Sequence, residues 1–253
     1  MGRLGLNIVK IGQIGVASSS KERLLRKISQ ELSSRHKLFL VTPNPEFVVF
    51  AQENLWFKKI LDKASLAVPD GAGLLLAAKV LGKPIKERIT GTDLMVDLCR
   101  LAEKKGWPVY LLGGWPGVAE KALAGLKNRF PALEGFADSG PEIKNLKQSL
   151  KSDFWTRKIN RKKPAFLFVG LGMGKQEKFI ADNWPKLEVK LAMGVGGAFD
   201  YLAGEVARAP KWLRKLGFEW LYRLFKQPWR WKRQMVLVKF GWLVVKEKLS
   251  KSP

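Results

Sequence analysis

Short apolar segments alternate with segments of helical periodicity along the first 200 residues of the chain. The run from Leu38 to Val41 is β-prone, and apolar residues then recur at helical spacing as far as about Lys63. Further apolar runs, the first three of them followed by helical patterns, occupy residues 66–68, 107–112, 165–169 and 189–193. This succession of strand, turn and helix predicts an α/β protein with a mostly parallel sheet flanked by helices, in the manner of a Rossmann-like fold.

Glycine or small polar residues follow each predicted strand. In chain order they are Thr42, Asp70, Gly113-Gly114, residues 170–174 and residues 194–197. Ligands of open α/β sheets bind outside the carboxyl ends of the strands, so we expect these residues to meet at one rim. Glycine turns before helices suit a diphosphate, although each one taken singly is equally well explained as a tight corner.

The last quarter of the chain differs in composition from the rest. Residues 201–253 hold 13 Lys and Arg against 3 acidic residues, and 5 of the 10 tryptophans. Phe218, Leu221, Tyr222 and Phe225 form a helical apolar stripe, and Pro228 is expected to break the helix before a second apolar stretch. We therefore predict a catalytic body over 1–200 and a helical, basic and aromatic appendage over 201–253.

Composition limits the protein's location and partners. The only cysteine is Cys99, so no internal disulfide forms, and the reducing cytoplasm is the expected compartment. No uncharged apolar stretch is long enough to cross a bilayer, and the N-terminus does not read as a signal peptide. The net charge of +24 points to a polyanionic partner: nucleic acid, an anionic membrane face or a phosphorylated substrate.

The motifs of several common enzyme classes are absent from the sequence. The 170–174 segment matches neither the dinucleotide-binding Gly-x-Gly-x-x-Gly pattern nor the P-loop. The only histidine, His36, is best explained as a solvated surface residue, and Cys99 as a core residue. No Asp-x-Asp pair is present to hold a metal against a nucleotide-sugar diphosphate. We therefore expect chemistry without a metal or cofactor, in which cationic side chains and amides stabilise a leaving group.

Three residues near the predicted rim carry charge suited to catalysis. Asp70 directly follows a strand in Val-Pro-Asp-Gly, where a carboxylate can act as a general base or simply cap the next helix. Asp93 is open to the same two interpretations. Arg88 is placed to reach a phosphate, or is an exposed residue of a lysine-rich loop.

With these residues in view, the chain resembles the WecG/TagA/CpsF glycosyltransferase family over most of its length. The resemblance is carried by eight ordered segments: Thr42-x-Asn44-x-Glu46, Pro69-Asp70-Gly71, Glu87-Arg88-x-x-Gly91-Thr92-Asp93, Leu111-Leu112-Gly113-Gly114, Gly170-x-Gly172-x-x-Lys175-Gln176-Glu177, Gly194-Val195-Gly196-Gly197-Ala198-Phe199-Asp200, Arg208-Ala209-Pro210 and Gly217-Phe218-Glu219-Trp220.

The resemblance implies a membrane-associated, inverting glycosyltransferase that acts on a polyprenyl-diphosphate-linked sugar. In the teichoic acid branch, N-acetylmannosamine passes from UDP to the 4-hydroxyl of lipid-linked N-acetylglucosamine, forming the β-1,4 linkage of the wall teichoic acid linkage unit. The family assignment makes Asp70 the base, with Thr42 and Asn44 beside it and Arg88 at the diphosphate. The substrate contacts that it implies are Gly71, Gly91, Thr92, Asp93, Gly113, Gly114, Gln176, Glu177, Gly196, Gly197 and Asp200.

The appendage gains a role from this resemblance. Its arginines alternate with tryptophans, a pattern that suits anionic lipid headgroups and the membrane interface. We expect it to dock on the cytoplasmic face of the membrane, to close over the rim and to supply arginine to the leaving diphosphate from Arg208, Arg214, Arg223 and Arg230. An ordinary helix pair packed on the body is the simpler alternative.

Three further questions stay open from sequence alone. A same-fold transferase for another UDP-sugar has the same motifs, because few pocket contacts set the donor. A basic nucleic-acid-binding protein accounts for the charge, but not for the glycine turns around Asp70. An apolar helix such as Leu74 to Leu81 offers a face for a homo-oligomer.

Overall fold

The N-terminal segment forms a small hairpin that is a separate two-stranded sheet, not hydrogen-bonded to the main sheet. The computed structural model describes residues 4–34, 36–215, 217–226, 228 and 231–250. Strands β1 (Asn7–Ile11) and β2 (Ile14–Ser18) pair antiparallel around a turn at Gly12, whose φ of +58° favours glycine. Helix α1 (Lys21–Ser33) follows, capped by the Ser20 side chain. The periodicity analysis did not predict this hairpin.

A six-stranded parallel sheet forms the centre of the body, in the order β4-β3-β8-β7-β5-β6. This confirms the predicted α/β class, and β6 is a strand that the sequence analysis did not identify. From β5 the chain continues to its neighbour β6 on one side of the sheet, and from β7 it continues to its neighbour β8 on the other side. Because these connections leave in opposite directions, a crevice opens between β5 and β7. The strands are β3 (Leu38–Val41), β4 (Leu66–Ala67), β5 (Val109–Gly113), β6 (Gly135–Asp138), β7 (Phe166–Gly170) and β8 (Leu191–Gly194).

Helices cover both faces of this sheet. The helix predicted to run to about Lys63 is in fact two helices, because Asn54 adopts an extended backbone between them. The body helices are α2 (Pro45–Glu53), α3 (Leu55–Lys63), α4 (Ala72–Val80), α5 (Gly91–Lys105), α6 (Val118–Arg129), α7 (Asp153–Arg161), α8 (Lys175–Asn183) and α9 (Ala198–Leu202).

Alternating side chains of the strands build two cores. In β3, Leu38 and Leu40 pack with α1, α5 and α6 on one face, while Phe39 and Val41 pack with α2, α3 and α8 on the other. All four side chains are at most 3% exposed, so β3 is central and apolar throughout. Cys99 lies in the first core, as predicted.

The C-terminal segment packs against the body through its last helix. Its helices are α10 (Lys211–Lys215), α11 (Glu219–Lys226) and α12 (Trp231–Leu249). Phe240 and Val244 of α12 belong to the second core, and the Glu247 carboxylate accepts a hydrogen bond from the Gly12 N–H at 2.7 Å. None of the helices in the described ranges is both long and apolar enough to cross a membrane.

Candidate active site

A cavity of about 1800 Å³ opens at the carboxyl ends of the parallel strands. Thr42 and Asp70 line it together with Gly114 and with the glycines that follow β7 and β8. The prediction that these turns meet at one rim is therefore confirmed. The cavity also receives residues from α4, α11 and α12, so the C-terminal segment forms part of its wall.

Asp70 is held in place at the wall of this cavity by backbone contacts. Its N–H donates to the Pro43 carbonyl at 2.8 Å, and its Oδ2 accepts from the Gly91 N–H at 3.0 Å. A Cβ on Gly91 would lie 3.2 Å from the Thr42 Oγ1 and 3.4 Å from the Asp70 Oδ2. A larger residue than glycine at position 91 would therefore crowd both the Thr42 hydroxyl and the Asp70 carboxylate, since both groups lie close to the Gly91 backbone.

The environment of Asp70 favours its neutral form more than water does. Burial raises the pKa of Asp70 to about 6, against the Gly91 hydrogen bond and the positive charge of Arg88, which both lower it. A carboxylate with this pKa is mostly ionised at neutral pH and accepts a proton more readily than an ordinary aspartate. Asp70 therefore has the placement and proton affinity of a general base.

Arg88 lies beside Asp70 in a network that ties the C-terminal segment to the body. Its Nη2 donates to Glu219 at 3.2 Å and its Nη1 to the carbonyl of Arg214. Within the described part of the chain, the buried Nε has no hydrogen-bond partner. Glu219 also accepts from the Nε of Arg208 at 3.2 Å, so one carboxylate of α11 bridges two arginines.

Asp93 belongs to this network and not to the cavity wall. Thr90 caps α5 through the Asp93 N–H, and the Asp93 carboxylate pairs with Arg208 at 2.7 Å. Burial opposes ionisation of Asp93, but hydrogen bonds from Arg208 and Thr90 hold its pKa below the usual value. In this structure the Asp93 carboxylate contacts the segment that follows the body, and the substrate contact predicted for Asp93 stays a prediction.

Gln176 and Glu177 link the turns after β7 and β8. The Gln176 Oε1 accepts from the Gly196 N–H at 2.9 Å, and its Nε2 donates to the Glu177 Oε1 at 2.7 Å. The other Glu177 oxygen accepts from the Gly174 N–H at 2.7 Å. Glu177 is fully buried and Gln176 is 3% exposed, yet Gln176 still contributes to the cavity wall. Direct substrate contact, as predicted for Glu177, does not fit its complete burial.

Gly113 pairs with Gly170 at the ends of β5 and β7. A Cβ on Gly113 would lie 2.6 Å from the Gly170 carbonyl carbon, and its φ is +121°. Gly113 therefore sets the close approach of two strands behind the cavity, whereas its neighbour Gly114 lines the cavity itself. The position of Gly113 serves packing, and the substrate contact predicted for it stays a prediction.

The remaining predicted site residues divide into three groups. Arg208 and Arg214 are not among the described residues that line the cavity; both face Asp93, at 2.7 and 3.9 Å. The side chain of Arg223 and all of Arg230 lie outside the described residues. The others contribute to the cavity wall as expected: Asn44, Gly71, Gly91, Thr92, Gly196, Gly197 and Asp200.

The cavity has an apolar end that the sequence patterns do not predict. Leu76 and Val80 of α4 line it opposite Leu237 and Val245 of α12, and Leu76 is 65% exposed. The exposed side of α4, formed by Leu76 and Val80, therefore borders the cavity, whereas Leu74 and Leu81 are buried in the body. Trp115 directly follows the Gly113-Gly114 turn, is 80% exposed and also lines the cavity. In the sequence, a tryptophan next to a glycine pair at a strand end could have indicated this role.

The chain is similar in sequence to several bacterial glycosyltransferases. It is 33% identical to a protein of Bacillus spizizenii over 85% of this chain and 82% of the relative. It is 31% identical to one of Bacillus subtilis, over 83% and 80% of the two chains, and 36% identical to one of Staphylococcus aureus, over 79% and 75%. Each is named N-acetylglucosaminyldiphosphoundecaprenol N-acetyl-beta-D-mannosaminyltransferase.

A family model covers almost the whole chain and agrees with these relatives. The model of the glycosyl transferase WecG/TagA/CpsF family matches residues 9–253, which includes both the parallel sheet and the C-terminal helices that close its cavity. The resemblance seen in the sequence motifs is thereby confirmed. The chain belongs to the WecG/TagA/CpsF family of glycosyltransferases.

Proposed function

We propose that this enzyme transfers N-acetylmannosamine from UDP to the 4-hydroxyl of N-acetylglucosamine on an undecaprenyl-diphosphate lipid, with inversion to a β-1,4 linkage. One observation carries the proposal: Asp70 shares a single cavity with the glycine turns after β5, β7 and β8. The names of the relatives support this acceptor and this sugar. The product carries the β-1,4-linked disaccharide of the wall teichoic acid linkage unit.

The reaction follows from the charges around the cavity. Asp70 takes the proton of the acceptor hydroxyl as its oxygen bonds to the anomeric carbon of the donor sugar. The bond from that carbon to the diphosphate oxygen breaks, and UDP leaves with the electron pair. Backbone N–H groups of the glycine turns and the Arg88 guanidinium stabilise the negative charge, without a metal ion. Thr42, beside Asp70, orients the acceptor hydroxyl.

The two ends of the cavity suit the two substrates. The polar end, with Gln176, Gly196 and Asp200, takes the UDP-sugar. The apolar end, between α4 and α12, lies next to exposed apolar side chains and takes the first part of the acceptor lipid. With the substrates bound in this way, the acceptor sugar lies near Asp70, between the two ends.

The outer face of α12 supports binding to the membrane surface. Its exposed apolar residues recur at helical spacing and are 55–69% exposed: Met235, Val238, Trp242, Val245 and Leu249. Lys239 and Lys246 lie within the same stretch, and the Lys246 ammonium stacks 5.1 Å from the Trp242 ring. An apolar stripe with flanking lysines is typical of a helix that lies in the interface of an anionic bilayer. The enzyme then works on the cytoplasmic face.

A substrate panel tests this function. The protein is incubated with a short-chain lipid-diphosphate N-acetylglucosamine and several UDP-sugars, with and without a chelator. We expect acceptor-dependent release of UDP from UDP-N-acetylmannosamine that survives the chelator. Asp70→Asn is expected to lower the rate by about 100-fold or more, because it removes the base.

The matched control is Asp62→Asn, at an exposed aspartate that pairs with Lys58 on α3. It should retain full activity. Full activity of Asp70→Asn would reject the base, and faster release from a different UDP-sugar would replace the donor while keeping the reaction class. Loss of activity with the chelator would reject the metal-free mechanism.

A further inference from the structure

We propose that Glu177 is a positioning residue for the nucleotide diphosphate: it orients Gln176 so that the turns after β7 and β8 keep the shape that binds UDP. This inference rests on the proposed function, which places UDP at these turns. Glu177 itself is fully buried and is not among the described residues that line the cavity, so its effect passes through Gln176 and Gly174.

The hydrogen-bond chemistry requires a carboxylate at this position. Two donors, the Gly174 N–H and the Gln176 amide nitrogen, approach the two oxygens of Glu177 at 2.7 Å each. Only a carboxylate accepts from both, because an amide has one oxygen and would turn its own NH₂ towards a donor. Both oxygens of the Glu177 carboxylate thus accept hydrogen bonds from uncharged protein groups, and neither of these contacts is an ion pair.

The carboxylate also fixes which way the Gln176 amide points. Since the Nε2 of Gln176 must face Glu177, its Oε1 is left to accept the Gly196 N–H, at 2.9 Å. A flipped amide would set its oxygen against the carboxylate and its NH₂ against an N–H group. Through Gln176, one buried acid thus orients a hydrogen bond to Gly196, which is twenty residues from Gln176 in sequence.

Close packing against Gly194 holds the Gln176 and Glu177 side chains in this arrangement. A Cβ on Gly194 would lie 2.6 Å from the Gln176 Nε2 and 2.7 Å from the Glu177 Oε1. The two side chains therefore fill the space above the end of β8, and glycine is needed there to admit them. The turns that they join, through Gly172, Met173, Val195 and Gly196, line the cavity. Precise geometry of amides around a diphosphate depends on such supporting contacts.

Calorimetric titration of the full chain with UDP tests the proposal. The variants are Glu177→Gln, Gln176→Ala and the double variant, with Glu188→Gln as the control at an exposed glutamate. Glu177→Gln should weaken UDP binding by about 10-fold, from the lost acceptor and the freed amide. The double variant should bind within about 2-fold of Gln176→Ala, because coupled residues do not contribute additively. The control should bind as the wild type does.

A merely structural role gives a different pattern. Losses that multiply in the double variant, or wild-type affinity in Glu177→Gln, would overturn the proposal. Should Glu177→Gln not fold, Glu177→Asp decides instead, since its shorter carboxylate does not span the Gly174 N–H and the Gln176 amide: weaker UDP binding supports the proposal and wild-type affinity overturns it. If the wild type itself binds no UDP, both the proposed function and this inference fail. If the wild type binds UDP and the variants bind it equally well, only this inference fails.

Discussion

The reactivity of Asp70 is set by contacts with opposite effects on its charge. Burial and the nearby carboxylate of Glu219 favour the neutral acid, while the Gly91 N–H and Arg88 favour the carboxylate. The balance leaves a pKa of about 6, close to the pH at which a base is both mostly ionised and strong enough to act. The pKa of Asp70 is thus set by groups far apart in sequence, among them Gly91 at the start of α5 and Glu219 on α11.

This balance predicts the pH dependence of the reaction. A general base works only when ionised, so the second-order rate constant for the acceptor should fall by about 10-fold per pH unit below a pH near 6, and level off above it. Arg88→Gln removes a positive charge and should move this limb to higher pH. Glu219→Gln removes a negative charge and should move it to lower pH. Steady-state rates between pH 5 and 8 measure both shifts.

Shifts of the same sign in the two variants would contradict this account of the Asp70 environment. Glu205→Gln serves as the control, because Glu205 is a surface residue paired with Lys121 and is not among the groups that perturb Asp70. Its profile should overlie that of the wild type, even if the absolute rates differ slightly.

At the scale of elements, α11 is attached to the body by charge. Glu219 meets Arg88 and Arg208 at 3.2 Å each, and all three side chains are less than a quarter exposed. Glu219→Gln leaves two partly buried arginines short of a partner, so we expect a loss of about 2 kcal/mol in unfolding free energy. Trypsin should also cleave the segment after residue 207 more quickly.

The exposed pair Lys121–Glu205 provides the comparison for this prediction too. Glu205→Gln should change the unfolding free energy by less than about 0.5 kcal/mol, as surface pairs contribute little. Denaturant titration followed by circular dichroism gives both values. Equal, small changes in the two variants would mean that packing, and not the ion pairs, holds α11.

Strands β5 and β7 depend on a pair of glycines. Gly113→Ala places a Cβ 2.6 Å from the Gly170 carbonyl carbon at a φ of +121°, and we expect it to cost about 3 kcal/mol of unfolding free energy. Gly241→Ala is the matched control, since that glycine lies inside α12 with open space around its Cβ position. It should be neutral or stabilise the protein by up to about 1 kcal/mol. A similar effect of both substitutions in urea titrations would contradict the close approach.

The sequence predicted what depends on local periodicity and missed what depends on distant contacts. The apolar run of β3 and the glycines after β5, β7 and β8 carried enough information to place Thr42, Asp70 and the cavity at one rim. The break at Asn54 was missed, because apolar spacing continues through it. The bond from Arg88 to Glu219 joins residues 131 positions apart, and no pattern along the chain indicates it.

The same limit applies to single site residues. Asp93 and Glu177 belong to the family motifs, which suggested substrate contact, but a motif does not distinguish a residue that faces the ligand from one that supports its neighbour. The folded chain adds contacts that the motif does not contain: Glu177 is fully enclosed, and the partly exposed Asp93 carboxylate pairs with Arg208. The division of the chain at residue 200 stays a prediction, and α12 shares a core with the body.

At the scale of the whole molecule, the net charge of +24 and the outer face of α12 point the same way. Vesicles containing anionic lipid should carry the protein in flotation, and binding should weaken with added salt and on neutral vesicles. The double substitution Val238→Ser and Trp242→Ser removes two side chains that are 69% and 61% exposed, so binding should fall by about 10-fold or more with little loss of stability.

The comparison that decides this prediction uses an apolar residue elsewhere on the surface. Phe154 of α7 is 67% exposed, as much as the two residues of α12, but lies on a different helix. If nonspecific adsorption of exposed apolar side chains caused flotation, Phe154→Ser would reduce flotation as much as the α12 variant does. Binding that depends on α12 alone orients the molecule, because the apolar end of the cavity opens between α4 and that helix. An acceptor lipid then reaches Asp70 without leaving the bilayer completely.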